Sequence, residues 1–406
     1  MRSSPRRRRF LHERNGTNGV IAYHAFPWRS PFTHIRRVPK APDAGRATYG
    51  TPSFPQTPDC GCRVQCRDPV LRRRDFRSAQ RRIHAWRNAF SSTALSADGT
   101  VSCATCHRPE LAFTDGRAVA VGVDQRQGTR NSPTLIDLPS DAPLFWDGRR
   151  QHLEELIVDP LTSFHEHGFA TAQDVADRVG EVPALREAYA RTFGSDAAID
   201  AQRLSAALAA YVRSIDTEPT ALEKFLVHRD TARLTREQQR GLELFRGRAG
   251  CTGCHTLDEK RATLTDNQFH DRGIGARHRE AGLGVVVNRA LSSEPERLGQ
   301  TIPADAAVAA LGRFVVTRNP KDIGAFRTPT LRNVAVTGPY MHDGSIASLA
   351  DAVDHELYYA DETHGAGFDA QDRQALVAFL SALTEARYCH RDSTCAPSAT
   401  PARSGP

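Results

Sequence analysis

Two copies of one pentapeptide pattern organise the sequence: CATCH at residues 103–107 and CTGCH at residues 251–255. Each copy reads Cys-x-x-Cys-His. Two cysteines at this spacing with a histidine directly after them are typical of covalent c-type haem attachment, in which the thiols bond the porphyrin edge and the histidine ligates iron. The residues predicted to hold two haem c groups are Cys103, Cys106 and His107 in the first copy and Cys251, Cys254 and His255 in the second.

The start of a helix explains this spacing. Two intervening residues bring both sulfurs to the same edge of the macrocycle, and the next residue then projects over its face. A structural zinc site and a redox-active Cys-x-x-Cys pair are the alternatives. Zinc requires further ligands at similar spacing, and neither alternative accounts for a histidine after both copies.

Length and charge limit the other function classes. The chain has 406 residues, enough for two or three domains with more than one buried core. It contains no run of about 18 apolar residues, so we expect no transmembrane helix. The net charge is +7, but much of the excess lies in arginine clusters near the start, such as residues 6–9 and 72–74. These clusters lack interleaved aromatic residues, so we expect no nucleic-acid partner.

Residues 1–85 show no lasting periodicity, and we expect this region to be of doubtful order. Haem attachment of this kind implies export to the periplasm, yet the start lacks the apolar core of 7–15 residues of a secretory signal. We therefore predict that the exported protein has a different N-terminus. Among the nine cysteines, Cys389 and Cys395 could close a small disulfide loop. The remaining three have no following histidine and predict no haem site: Cys60, Cys62 and Cys66.

Apolar spacing predicts helices along much of the chain. Residues 171–193 and 204–215 carry apolar side chains at helical spacing. Another helix is predicted from Thr235 to a glycine stop at Gly247, and the last one over residues 370–386. No alternating strand pattern of comparable length competes with them. The sequence predicts an all-α fold with long loops rich in Gly and Pro around the cofactors.

From residue 94 to about residue 387 the sequence resembles the bacterial dihaem cytochrome c peroxidase and MauG family. Besides the two haem motifs, five stretches carry the resemblance: LSADG at 95–99, GTRNSPT at 128–134, FWDGR at 145–149, FRTPTLRN at 326–333 and PYMHDG at 339–344. The resemblance implies two all-α cytochrome c-like domains whose loops follow the haems. Residues 86–230 would hold the peroxidatic haem and residues 231–388 the electron-transfer haem, with a tail at 389–406.

The family resemblance also assigns roles around the first haem. Peroxidases of the family cap this iron with a histidine, but the matching position here is Val123, which cannot ligate iron. We therefore expect an open, high-spin first haem, as in the MauG branch. Glu166 matches the family's catalytic glutamate and would move the proton between the peroxide oxygens. His165 and His167 flank it and remain alternatives for that role or for iron.

Further roles are implied between the haems. Trp146, in the FWDGR stretch, would relay electrons between the two irons. Arg327 is implied at the catalytic site and, with Arg332 and His342, near the haem propionates. A calcium ion is implied on Asn131, Thr337 and Pro339, a set of oxygen ligands that suits Ca²⁺.

The second haem departs from both patterns of the family. Peroxidases place a methionine as its distal ligand and MauG places a tyrosine, but the matching position here is Glu356. The only methionines are Met1 and Met341. Tyr358 would reach the iron after a slip of two residues. The alternatives are Tyr359, His355 and Glu356, and any of these four lowers the reduction potential relative to a thioether ligand.

Three function classes follow. The first is a peroxidase that reduces hydrogen peroxide with electrons from a small c-type cytochrome or a cupredoxin. The second is a MauG-like enzyme that oxidises residues of a partner protein. The third, a non-enzymatic electron carrier, is disfavoured because a carrier gains nothing from an open iron beside a carboxylate.

Overall fold

Helices make up most of the regular structure in the computed structural model of the chain. It describes residues 83, 85–228, 231–257, 262–275, 282–365 and 367–389. Residues 1–82 and the tail from 390, with Cys60, Cys62, Cys66 and Cys395, lie outside the described residues. All described residues belong to one compact unit. The division into two domains at residue 230 stays a prediction.

The first half contains a helical segment at residues 85–90 and a series of further helices. The α-helices of this half are Cys103–Cys106, Leu153–Thr162, Ala172–Glu181, Pro183–Phe193, Ala201–Arg213 and Ala221–His228. Those of the second half are Arg236–Arg246, Leu283–Ser292, Leu298–Ala304, Ala306–Ala309, Phe314–Thr317, Leu349–His364 and Ala370–Ser381. None of the described helices is both long enough and apolar enough to cross a bilayer.

The fold is mainly α rather than all-α, because two short strands form a small sheet. Phe269–Asp271 pairs antiparallel with Ala325–Arg327, with Phe269 opposite Arg327. The sequence analysis missed both strands. Three residues are too few to show an alternating pattern, and the pairing depends on contacts between distant parts of the chain.

The predicted helix over residues 171–193 is two helices. Val182 is extended, and Pro183 is the first residue of the second helix. Proline lacks a backbone N–H and disfavours helical geometry in the residue before it, so it ends one helix and begins the next.

Other helix predictions are confirmed. The helix Arg236–Arg246 has Thr235 as its N-cap and Gly247 as its C-cap, as predicted. The last predicted helix is shorter than expected: it ends at Ser381, and residues 386–388 form a separate short turn of 3-10 helix. Cys389, next to that turn, is in a disulfide bond. Its pairing with Cys395 stays a prediction.

The apolar core falls into three clusters. The first is built from residues 86–212 with Tyr388, and the second from residues 222–383. The third, from residues 286–315, belongs to the short helices of the second half. Tyr388, near the end of the described chain, therefore packs in the core of the first half.

The tightest helix pair in the second half depends on a glycine. A Cβ atom on Gly241 would lie 2.0 Å from the carbonyl oxygen of Ala375 on the facing helix. Gly241→Ala must push the two helices apart, and we expect it to lower the free energy of unfolding by about 1–3 kcal/mol. Urea denaturation measures this change. The control is Gly284→Ala, which meets no atom within 4 Å and should leave stability equal or slightly higher. Equal stability of both variants would contradict this packing.

Candidate active site

Both predicted proximal histidines are held in the same way. Nδ1 of His107 lies 3.1 Å from the carbonyl oxygen of Phe113, and Nδ1 of His255 lies 2.8 Å from that of Leu264. Phe113 and Leu264 both have left-handed backbone conformations, with φ of 60° and 54°. An Nδ1–H that donates to a carbonyl leaves Nε2 as the free lone pair, which is the arrangement of an oriented metal ligand.

Burial keeps both rings in the neutral form that ligation requires. It lowers the pKa of His107 and of His255 below the usual histidine value, against the opposing effect of the hydrogen bond to the carbonyl. The first motif opens a short α-helix at Cys103, and the second opens a 3-10 turn at Cys251. This agrees with the helical start expected for both motifs.

The cysteines do not resemble those of a redox pair. Burial raises the pKa of Cys103 and of Cys251 to about 12, whereas reactive Cys-x-x-Cys thiols have a lowered pKa. Among the described residues, one group of three side chains could hold a metal ion: Cys254, Asp266 and His270. It contains one motif cysteine, so it is not the cysteine-rich set of a structural zinc site.

A cavity of about 440 Å³ opens beside the second motif. Its volume is typical of a cofactor or ligand site. The cavity is lined by Cys251, Cys254 and His255, and also by residues from both halves of the chain. The implied interdomain residues all line it: Asn131, Trp146, Arg327, Thr337, Pro339 and His342.

Trp146 connects the two halves at this cavity. Its indole N–H donates to the carbonyl oxygen of Asn131 at 3.0 Å, and its own carbonyl accepts from the backbone N–H of Arg327 at 2.8 Å. The backbone N–H of Asn131 in turn donates to the carbonyl oxygen of His342 at 2.8 Å. The structure therefore brings together the residues implied for electron relay and for calcium.

Arg327 is a half-buried cation at the cavity wall. It donates to the Asn267 side chain at 2.8 Å and to the Phe145 carbonyl at 3.3 Å. Among the described residues it has no carboxylate partner, and burial lowers its pKa to about 10. Arg332, by contrast, does not line the cavity. Its guanidinium is bonded to Glu223 and lies near Glu385, away from the position implied for it.

The loop that carries Glu166 packs against the loop that carries Val123. The backbone N–H of Val123 donates to the carbonyl oxygen of Glu166 at 2.9 Å. A Cβ atom on Gly122 would lie 2.2 Å from the carbonyl oxygen of His165, so only glycine allows this approach. Val123 is 2% exposed. A buried apolar side chain thus stands at the position for which the sequence resemblance implies a capping histidine in the family's peroxidases.

The two histidines beside Glu166 are tied to other segments. Nδ1 of His165 lies 3.0 Å from the carbonyl oxygen of Gln127. His167 is buried, and its Nδ1 is hydrogen-bonded to the carbonyl oxygen of Leu95. Both rings therefore anchor the loop on which Glu166 lies.

Glu166 itself has an altered acidity. Burial raises its pKa above the ordinary carboxyl value of 4.5, and the nearby Arg149 opposes this rise. A carboxyl whose pKa moves towards neutrality is suited to taking up and releasing a proton.

A buried charge network lies behind this loop. Asp147 is fully buried and bonded to Arg149 at 3.1 Å, and Arg149 also reaches Asp159 at 3.3 Å. Asp159 accepts a further bond from Arg150 at 2.7 Å. Asp159 lies on the helix that leads into the Glu166 loop, so the FWDGR stretch contains both Trp146 and the charged side chains that support this loop.

The four candidates for the second distal ligand divide into two groups. Glu356 and Tyr359 line the cavity, whereas Tyr358 and His355 do not. Tyr358 is 61% exposed, so the structure does not bring this residue to the second motif. Nε2 of His355 lies 2.9 Å from the carbonyl oxygen of Arg272. Met341 also lines the cavity.

Comparison with known proteins gives a consistent result. The family described as di-haem cytochrome c peroxidase matches residues 86–231. A methylamine utilization protein MauG from Methylorubrum extorquens is 31% identical over 301 residues, which cover 72% of this chain and 75% of that protein. The chain belongs to the di-haem cytochrome c peroxidase family. The resemblance stated from the sequence motifs is therefore confirmed.

Other members of the family match over a similar length. A cytochrome c551 peroxidase from Nitrosomonas europaea is 30% identical, with 73% of this chain and 77% of that protein covered. The crystal structure of the diheme peroxidase BthA from Burkholderia thailandensis superposes with a TM-score of 0.57 at 25% identity, covering 79% and 87% of the two chains. The chain thus has the di-haem peroxidase and MauG-like fold, and the expectation of a haem-dependent oxidoreductase is confirmed.

The residues present fit the two haems that this family implies. Each motif offers two thiols and a histidine whose Nδ1 is bonded to a backbone carbonyl, which orients the ring for iron. The second site adds a cavity and, in Arg327, a half-buried cation without a carboxylate partner among the described residues. A haem carries two propionate carboxylates, which an arginine without an acidic partner can bind.

Sequence reasoning missed the residues that orient the site. The carbonyl groups of Phe113 and Leu264 carry no side-chain signal, and their positions depend on left-handed backbone conformations. The ion pair between Arg272 and Glu356, at 2.7 Å, joins segments far apart in the chain. The buried Asp147 is different, because it lies within the FWDGR stretch and the sequence motif could have pointed to it.

Proposed function

We propose that the chain is a di-haem peroxidase that reduces hydrogen peroxide with electrons from a small c-type cytochrome or a cupredoxin. Cys103, Cys106 and His107 hold the haem at which peroxide reacts, and the CTGCH motif holds the haem that receives electrons. When bound, the first haem supplies the iron at which the O–O bond breaks. Overall, one peroxide, two electrons and two protons give two waters.

One observation carries this proposal. Glu166, a carboxyl whose pKa is raised by burial, lies on a loop bonded to Val123, and no side chain that ligates iron occupies that position. The ionised carboxylate accepts a proton from one peroxide oxygen and returns it to the departing oxygen. His165 and His167 each tie the loop to another segment through Nδ1, and Glu166, between them, is the proposed proton carrier.

The second candidate function is a MauG-like oxidation of a partner protein. It is favoured by the side chains at the second cavity, where Glu356 and Tyr359 are the candidate distal ligands. Oxygen ligands of this kind stabilise ferric iron more than a thioether does. Under this alternative, Trp146 passes both oxidising equivalents between the haems, and a protein substrate replaces the small redox donor.

Two further assignments belong to the same proposal. A calcium ion between the halves would use the Asn131 side chain and the carbonyls of Thr337 and Pro339, which line one cavity. The Asn131 side-chain nitrogen donates to the carbonyl of Arg117 at 2.8 Å, which directs its oxygen to the other side of the amide. We place the protein in the periplasm, where c-type haems are attached.

Covalent haem attachment is testable without any activity measurement. Replacing Cys251 and Cys254 together by alanine removes both thioether bonds of the second site, so we expect the purified protein to retain one covalent haem instead of two. Replacing Cys103 and Cys106 should also leave one. Mass spectrometry of the denatured protein counts the haems. Two covalent haems in either double variant would contradict the assignment of the motifs.

Steady-state turnover distinguishes the two functions. With wild-type protein, peroxide and a reduced small c-type cytochrome, a peroxidase oxidises the cytochrome continuously. A MauG-like enzyme turns over slowly with the cytochrome and instead leaves oxidised residues on a partner protein. Sustained oxidation of the cytochrome supports the first function. No oxidation of either the cytochrome or a protein would leave a non-enzymatic carrier and contradict the proposal.

A further inference from the structure

The Glu166 loop follows a helix whose last carbonyls have no partner within the helix. The helix Leu153–Thr162 ends with Ser163 as its extended C-cap. The final carbonyl groups of an α-helix need hydrogen-bond donors from outside it. The carbonyl oxygen of Thr162, four residues before Glu166, therefore needs a donor from another part of the chain.

That donor comes from the second half. The side-chain amide of Gln300 donates through Nε2 to the carbonyl oxygen of Thr162 at 2.5 Å. The same amide accepts through Oε1 from the backbone N–H of Phe164 at 3.3 Å. One side chain thus bonds the carbonyl of Thr162 and the N–H of Phe164, on either side of Ser163, where the helix ends and the loop begins.

The helix that carries Gln300 is fixed to the first half by a separate contact. The hydroxyl of Thr129 donates to the carbonyl oxygen of Ile302 at 2.7 Å. Leu298–Ala304 belongs to the third core cluster through Leu298 and Ile302, so it is part of a packed unit. The helix that carries Gln300 is therefore held in place beside the loop by this hydrogen bond and by its packing in the third core cluster.

The other anchors of the loop come from the first half. Val123 bonds the Glu166 carbonyl, His165 bonds the Gln127 carbonyl, and His167 bonds the Leu95 carbonyl. Phe164 is 57% exposed, and its ring is covered on one face by Arg126, at 3.7 Å from the ring centroid. These contacts hold the loop at or after Phe164, whereas Ser163 is bonded within its own segment, to Pro160, Glu166 and Gly168.

We propose that Gln300 is a positioning residue for Glu166, by which the second half of the chain sets the geometry of the carboxylate in the first half. This inference rests on the proposed role of Glu166. Loss of both amide bonds removes the support that the second half gives to Thr162 and Phe164, and the bonds of Ser163 within its own segment and of Arg126 to the Phe164 carbonyl remain. The carboxylate that follows then shifts with the loosened backbone. A displacement of about 1 Å can reduce a rate by up to 10²-fold.

The test compares Gln300→Leu with wild type in the haem-loaded protein. Leucine has nearly the same size but forms neither hydrogen bond. We expect the reaction with peroxide to slow by about 10- to 100-fold. We also expect faster hydrogen exchange at the Phe164 amide, which is independent of activity. The control is Thr301→Val on the same helix, because the Thr301 hydroxyl bonds only the carbonyl of Arg297 within the chain's own helical segment. It should change neither quantity.

A double-mutant cycle separates positioning from a general loss of structure. If Gln300 acts through Glu166, adding Gln300→Leu to Glu166→Gln should slow the reaction little further. A full additional loss in that background would overturn the proposal, as would a wild-type rate for Gln300→Leu alone. If Glu166→Gln itself reacted normally, the proposed function of Glu166 would fail. Unchanged exchange at Phe164 would then separately overturn the contact of Gln300.

Discussion

Glu166→Gln is expected to slow the reaction of the haem-loaded protein with hydrogen peroxide by about 10²–10⁴-fold, the usual contribution of a positioned acid/base group. Glutamine keeps the size of the side chain and can still form hydrogen bonds, but its amide does not titrate and cannot accept the peroxide proton. The loop should keep its place, because its anchors are the backbone and the rings of His165 and His167. Rapid-mixing absorbance spectroscopy measures the rate.

The matched control is Glu155→Gln. Glu155 lies on the helix that leads into the same loop, but its side chain is exposed to solvent. This variant loses an equal charge and should react at the wild-type rate. If both variants reacted like wild type, the assignment of the family's catalytic glutamate to Glu166 would be wrong. His165 or His167 would then become the candidate.

The pH dependence of the peroxide reaction rate is a second test of Glu166. Glu166 accepts a proton as a carboxylate, so the rate should fall as pH decreases through its pKa. Since burial raises that pKa, the fall should occur above pH 4.5. Glu166→Gln should lose this acid limb. An acid limb that persists unchanged in the variant would assign it to another group.

Arg332→Ala is expected to lower the free energy of unfolding by about 3–5 kcal/mol, the cost of leaving buried charges without their partner. The Arg332 side chain is 3% exposed. It is bonded to Glu223, lies 3.8 Å from the fully buried Glu385 and 3.7 Å from Asp137. The variant leaves three acidic groups without this cation. Urea denaturation measures the loss.

An exposed ion pair is the control for Arg332. Arg191 and Glu187 form a pair at 2.9 Å with both side chains more than half exposed, so Arg191→Ala should cost less than about 0.5 kcal/mol. Although burial opposes it, Arg332 lowers the pKa of Glu223 below 4.5. This contribution is present above pH 4.5 and is lost as pH falls below it. Equal losses for the two variants would show that Arg332 is not a structural cation.

The sequence predicted those parts of the site that depend on spacing within one segment. Both Cys-x-x-Cys-His motifs begin short helical turns, and Thr235 and Gly247 bound their helix as predicted. The family motifs singled out Trp146, Arg327 and Asn131, and all three line one cavity in the structure. These predictions needed only local geometry or a resemblance.

The parts that were missed depend on contacts between distant segments. Tyr358 and Glu356 lie on one helix, and only its rotation against the cavity decides that Glu356 lines it while Tyr358 is exposed. Gln300 reaches Thr162 and Phe164 from the other half of the chain. No local pattern encodes such a pairing, because it follows from how the helices pack.

The most direct test of the account is a single-turnover reaction of the oxidised, haem-loaded protein with hydrogen peroxide, without any prior reduction. Under the proposed assignment Val123 stands at the capping position and cannot ligate iron, so we predict an immediate spectral reaction whose rate increases with peroxide concentration. A protein that reacts only after one of its haems has been reduced would contradict the account, because it would show that another side chain caps the first site.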